Sequence, residues 1–225
     1  MDAVSPLARE FSHMGRPKTV YVVRHGRSLW NGTKKISGQL EPGLSSDGKA
    51  QAQRLGRVLR DVRLDAVYTS TLRRAVETAQ PVSLLHGLEI QQCAALREQH
   101  MGVVQGRFRD HRDPEALWLW NWRGADRLHR RLPDGESFAD LEARVLPCLD
   151  EILRREAGKV VLIVGHRNTN RVVLGRLLGW PREDALEARV RACHLYEIAP
   201  GGVPRVETIS LRRRDSGKRR QGFWQ

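Results

Sequence analysis

Two histidines occupy positions from which chemistry is readily done. His25 follows the run Thr19–Val23, and His166 follows Lys159–Val164. Both runs are short and rich in β-branched or apolar residues, and they read as buried strands. In an open α/β sheet, ligands bind beyond the carboxyl ends of the strands. Both imidazoles are therefore expected at one crevice, although more than half the chain separates them. Arginines accompany them. Arg24 precedes His25, and Arg73 and Arg74 follow a third strand-like run, Ala66–Ser70. Such a set suits a phosphoryl group. A guanidinium holds two phosphate oxygens in a planar fork and stays charged at any working pH. A neutral imidazole nitrogen can attack phosphorus and carry the group covalently. Charge then spreads over three equatorial oxygens, where fixed cations stabilise it. A carboxylic acid must protonate the leaving oxygen.

The elements that must position these groups alternate. Asp47–Asp61 reads as a helix, with Leu55, Val58, Leu59 and Val62 on one apolar face. Leu72–Leu85 reads as a second helix that Pro81 kinks or breaks. Leu88–Gln92 is a candidate strand. Residues 99–135 form a Trp- and Arg-rich insertion, with a short helix over Pro114–Trp122. Phe138, Leu141, Val145, Leu149 and Ile152 mark a long amphipathic helix. Asn170–Leu178 is a helix closed by Gly179 and Pro181. Cys193–Ile198 and Arg205–Leu211 are the last strands. This order predicts an α/β fold: a three-layer α/β/α sandwich with a mostly parallel sheet, helices on both faces and a cap insertion. Residues 1–18 read as an irregular leader, 19–211 as the catalytic domain and 212–225 as a basic tail.

Composition narrows the classes. The chain has 225 residues, 40% of them hydrophobic and 29% charged, which excludes a wholly disordered or collagen-like chain. Its longest strongly apolar stretch, Val160–Val164, is too short to span a bilayer. The N-terminus has no apolar segment of secretory type, so a cytoplasmic protein with no membrane partner is expected. Cys93, Cys148 and Cys193 form no CxxC, so neither a disulfide framework nor a zinc site is expected. The net charge of +13 calls for an anionic partner. The tail holds six basic residues and one acid, together with Phe223 and Trp224. Nucleic acid contact by counterion release and stacking is one reading of it. A solvated end is the simpler one.

The motifs around these residues resemble those of the histidine phosphatase superfamily, in the branch of phosphoglycerate mutase and its phosphatase relatives. Arg24-His25-Gly26 with Ser28 and Asn31 is similar to its RHG signature. Leu44-Ser-Ser-Asp-Gly48 with Gln51-Ala52 is similar to LTxxGxxQA, and the segment Tyr68 to Ala79 to SSxLxRAxxTA. Leu96-Arg-Glu98 with Gly102 and Gly106, Gly135-Glu-Ser137, and Val164-Gly-His166 complete six motifs in order. The resemblance covers residues 19–211. It implies that His25 is the nucleophile, that Arg24, Arg74 and His166 hold the phosphoryl oxygens, and that Asn31 adds a hydrogen bond. It implies Glu98 as the acid, with Glu136 the runner-up. It implies no metal and no cofactor, since the arginines and second histidine supply positive charge.

Two positions depart from the family pattern. Arg27 follows RHG, where the family often has an acidic or polar residue. Arg167 follows the second histidine, where a small residue is usual. Either they enlarge the cationic pocket for a second anionic group, or they reach solvent or pair with a local acid. Arg123, with Arg127, Arg130 and Arg131, either grips a distal carboxylate or phosphate or forms a solvated face. Trp118, Trp120 and Trp122 either pack the core of a cap or form a substrate lid. Of the remaining histidines, His100 is the one most expected to matter. The expected activity is a metal-independent phosphomonoesterase acting on a small-molecule phosphoester: a sugar phosphate, bisphosphate or nucleotide. A mutase is the alternative, but the longer insertion that holds glycerate in phosphoglycerate mutases is not found. A phosphate- or nucleic-acid-binding module is the alternative from another class. A homodimer is compatible with the sequence.

Overall fold

The computed structural model describes residues 16–201 and 203–224. Most of the expected leader, including His13, lies outside the described residues. Seven strands form one sheet: β1 (Thr19–Arg24), β2 (Ala66–Thr69), β3 (Ile90–Gln92), β4 (Val160–Gly165), β5 (His194–Ala199), β6 (Arg205–Ser210) and β7 (Arg219–Gln221). Their order is β3-β2-β4-β1-β5-β6-β7. The first four run parallel, and β5, β6 and β7 add antiparallel pairs. The sheet is thus parallel where the chemistry is expected and antiparallel at one side.

Helices cover both faces, giving the three layers. On one face lie α1 (Ser46–Val58) and α2 (Arg73–His86), which press Leu55, Leu59, Ala75, Ala79 and Val82 against Tyr21, Val23, Leu162 and Val164. On the other lie α4 (Phe138–Arg155) and α5 (Arg167–Leu178), which bury Phe138, Leu141, Val145, Leu149, Val172 and Val173 against Val20, Val22, Val161 and Ile163. Alternate residues of β1 and β4 therefore serve opposite cores, as a strand buried on both faces requires. Fully burying each such apolar side chain contributes about 1.5–3 kcal/mol. The short helix α6 (Arg182–Glu187) follows α5.

Local chemistry sets the boundaries. Ser45 caps α1 by accepting from the Gly48 amide. Ser137 and Asp140 form a reciprocal capping box at the start of α4. The insertion carries α3 (Pro114–Gly124), which starts with Pro114 in its first turn and Asp113 as cap. It closes over a small third core of Ile36, Met101, Val104, Ala116 and Leu132.

Some of these expectations change. Pro81 does not break α2; the helix runs on to His86. Gly56 of α1 faces the proline ring, where even an added Cβ would stand 3.5 Å away. Cys93 and Cys148 are brought close, with Cα atoms 7.7 Å apart, because the fold lays the end of β3 beside α4. Sequence spacing carries no trace of that proximity. The tail is not a solvated end: β7 pairs with β6, and Phe223 stacks on Tyr196 at 4.7 Å and meets Trp180 edge-on at 4.8 Å. Of the three alternating tryptophans only Trp120 packs against the cap core, while Trp118 is 64% exposed. Among the described residues, no helix is long and apolar enough to cross a membrane.

Candidate active site

β1 and β4 are neighbours in register, with Arg24 opposite Gly165. Their carboxyl ends therefore deliver His25 and His166 side by side, and the His25 amide donates to the Gly165 carbonyl at 2.9 Å. The ring centroids lie 5.1 Å apart. Gly26 lets the chain turn here. A Cβ at Gly26 would stand 2.6 Å from the Gly48 carbonyl oxygen, and one at Gly48 would stand 2.0 Å from that of Arg27. Two glycine backbones touch, and any side chain would push the start of α1 off the histidine loop.

The hydrogen bonds fix the tautomer of His25. Its Nδ1 lies 2.7 Å from the Gly26 carbonyl oxygen. A carbonyl only accepts, so Nδ1 carries the proton and Nε2 keeps a lone pair. His166 Nε2 pairs with Ser70 Oγ at 2.7 Å, while its Nδ1 is buried without a protein partner. Burial, followed by the charges of nearby arginines, holds both imidazoles well below the ordinary histidine range. Both are neutral at pH 7, which leaves the Nε2 lone pair of His25 unprotonated.

The same burial has a stability consequence. Below the unfolded-state value of about 6.5, the unfolded chain binds protons that the folded chain refuses. The contribution is complete above that pH and is lost as pH falls. Each imidazole is expected to remove about 1.4 kcal/mol per pH unit below it. Urea midpoints measured from about pH 7.5 to about pH 5.5 test this, with the double variant His25→Phe/His166→Phe showing the shallower slope. Equal slopes in the two proteins would contradict it.

The arginines stand around this pair. Arg74 is 1% exposed; its guanidinium donates to the Leu40 and Gly38 carbonyls at 2.6 and 2.7 Å, and its Nε has no protein partner. Two carbonyls thus aim the fork. Burial lowers Arg24 to about 9, reinforced by the nearby charge of Arg167, so it remains a cation at pH 7. Arg24 lines a cavity of about 470 Å³ together with Arg27, Asn31 and Arg167. Asn31 accepts from the Ser28 amide through Oδ1, which leaves its NH₂ free of that bond at the cavity wall.

Glu98 lies at the start of α5. Its Oε1 accepts from the Gln99 and Asn168 amides at 2.9 and 3.2 Å, and its Oε2 from the Arg167 amide at 3.1 Å. His166 caps α5 without a side-chain bond, so this carboxylate satisfies the first amides of the helix instead. Glu136, the runner-up, is bound through both oxygens by Arg144 at 2.6 and 2.8 Å. That pairing engages both of its oxygens. Arg144 also donates to the carbonyls of Ala95, Arg97 and Glu98. It is a positioning residue for the Glu98 segment, and nothing in its sequence context marks it.

The remaining expectations divide. Arg27 both lines the cavity and approaches Asp47 at 3.6 Å, an exposed pair worth little in water. Arg167 lines the cavity, and its guanidinium has no carboxylate partner among the described residues. Arg123 does not line it. Its buried guanidinium donates to Gln99 Oε1 at 2.8 Å, and Asn168 donates to the same oxygen. It therefore acts on the site through the residues beside Glu98. His100 is spent on the Gly102 amide and Gln105. The aromatic ring in the cavity wall is Trp30, outside the expected tryptophan cluster.

Known proteins resemble this chain in sequence and fold. The family model of the histidine phosphatase superfamily, branch 1, matches residues 20–207. A probable phosphoglycerate mutase, GpmB, of Erwinia tasmaniensis is 32% identical over 80% of this chain and 83% of its own length. Among solved structures, YhfR of Bacillus stearothermophilus is similar with a TM-score of 0.73 and 30% identity, over 83% of this chain and 93% of that one. The alpha-ribazole phosphatase of Shigella flexneri is similar with a TM-score of 0.76 and 27% identity, over 92% and 100%. Family membership follows from the family-model match and the shared length: this chain belongs to the histidine phosphatase superfamily, branch 1.

Proposed function

We propose that the protein is a metal-independent phosphomonoesterase that hydrolyses small anionic phosphoesters through a phosphorylated His25. The observation that carries this reading is the neutral His25, held as the Nδ1–H tautomer by Gly26 beside His166 and the buried Arg74. In the first step Nε2 bonds to phosphorus as the bond to the ester oxygen breaks, and the Glu98 carboxylate relays to that oxygen the proton that the monoanionic ester carries in. Arg24, Arg74 and His166 hold the three equatorial oxygens. In the second step water attacks phosphorus, its proton passes to the Glu98 carboxylate, and His25 leaves as the neutral ring. The arginines supply the positive charge that a metal would otherwise bring.

A mutase reading is favoured by one observation, the similarity to GpmB. Against it, Arg130 donates to the Trp122 carbonyl and Arg131 pairs with Asp140, so the arginine pair of the cap is engaged away from the cavity. The test is hydrolysis of p-nitrophenyl phosphate in excess EDTA, with denaturing quench and peptide mapping. We expect undiminished turnover and one acid-labile phosphoryl group on His25. Turnover abolished by EDTA would refute metal independence. A phosphoryl group on another residue would refute the nucleophile. Transfer to a second hydroxyl with no release of phosphate would establish the mutase.

A further inference from the structure

The cavity that Arg24 lines carries more charge than one phosphate requires. Beyond Arg24 its wall presents Arg27, Lys34, Lys35, Arg109 and Arg167, and no aspartate or glutamate lines it. Among the described residues, Lys34, Lys35, Arg109 and Arg167 have no ion-pair partner. Like charges gathered without an anion repel, and they persist only where the surrounding structure holds them.

That structure is visible. The segment of Lys34 to Ile36 is stitched to the cap. Arg109 N–H donates to the Lys34 carbonyl at 3.1 Å, Ile36 N–H to the Arg107 carbonyl at 2.9 Å and Gly106 N–H to the Ile36 carbonyl at 2.8 Å. Lys35 and Phe108 form an antiparallel bridge within this ladder. One rigid rim therefore sets Lys34, Lys35 and Arg109 together. Lys34 has φ of 65°, in the left-handed region that favours glycine. A lysine held there is backbone strain at a site, and such strain concentrates where ligands are clamped. Lys35 lies over the Trp30 ring at 4.2 Å, and Arg109 over Trp120 at 4.9 Å. Both cationic heads are thus oriented by aromatic faces. Burial, and after it the charge of the nearby Arg167, lower the Arg109 guanidinium from its ordinary value.

We propose that Lys34, Lys35, Arg109 and Arg167 form a second phosphate subsite, so that the preferred ligand carries another phosphate besides the one that reaches His25. This rests on the phosphomonoesterase reading for the fate of the first phosphate, and on the rim alone for binding of the second. A carboxylate brings one charge to these four cations, whereas a phosphate monoester brings nearly two and three acceptor oxygens. A cavity of about 470 Å³ is of small-molecule size, so the second phosphate belongs to a compact bisphosphate.

The test separates binding from turnover. The full chain with His25→Ala, which cannot consume its ligand, is titrated calorimetrically with glucose 6-phosphate and glucose 1,6-bisphosphate. The bisphosphate is expected to bind at least about tenfold tighter at low salt, and the advantage is expected to shrink as salt screens the rim. Adding Lys34→Ala and Arg109→Ala is expected to bring the ratio towards one. Adding Lys34→Gly instead removes one charge while suiting the positive φ, so it preserves the fold and still lowers the ratio. Equal affinities for the two sugars, or a ratio unmoved by both changes, would overturn the subsite. Preferred bisphosphate binding with no phosphatase turnover in the unmodified protein would uphold the subsite and overturn the phosphomonoesterase reading.

Discussion

His25→Ala is expected to lower kcat/KM for p-nitrophenyl phosphate by about 10⁴–10⁶, the scale on which an enzyme loses its nucleophile. The loss is expected in kcat, because no other imidazole takes over the attack. His166 is the nearest, but its Nε2 is engaged by Ser70. The change also leaves Arg24 and Arg74 in place, so phosphate affinity is retained and inorganic phosphate still raises the melting temperature. Steady-state kinetics with a thermal shift in phosphate measure both parts. Residual activity within about tenfold of the unmodified protein would place the nucleophile elsewhere.

Arg74→Ala is the second large effect. A loss on the order of 10³–10⁴ in kcat/KM is expected, shared between kcat and KM, because the guanidinium meets charge in both the bound ester and the transition state. Stability falls as well. The Gly38 and Leu40 carbonyls lose their donors, and each buried acceptor left unmade costs about 1–3 kcal/mol. Arg74→Lys separates the two roles. It keeps a charge but has no fork, so it cannot serve both carbonyls and a phosphoryl oxygen. Denaturant midpoints and kinetics on both variants are the measurement. A lysine variant with full activity would show that charge alone suffices.

The parallel heart of the fold was legible because β1 and β4 are β-branched runs that end on histidines, and because an open sheet places such ends at one crevice. His25 and His166 do stand side by side at those strand ends, and Glu98 lies on the first amides of α5. Other parts left no mark. Arg144 reads as an ordinary charged residue on an amphipathic helix, yet it grips three carbonyls and Glu136. Ser70 orients His166 across a contact that spans β2 and β4. The basic tail hid its strand because its backbone pairs with β6 through residues whose side chains are exposed. Lys34 carries no signal of its left-handed backbone, which arises from the ladder to a segment far along the chain. In each case the missing information is a tertiary contact, and local composition does not encode it.

The pairing of β1 with β4 also governs when the site comes into being. β1 is made early, but its parallel neighbour arrives only after β2, β3, the cap and α4 have been synthesised. β2 can dock on β4 without it, and β5 adds to its other edge later still. Closing so long a loop is entropically costly and slow. Until it closes, His25 has neither the Gly165 carbonyl to fix its amide nor His166 beside it. Nascent chains short of β4 are therefore catalytically silent, however much helix they already contain.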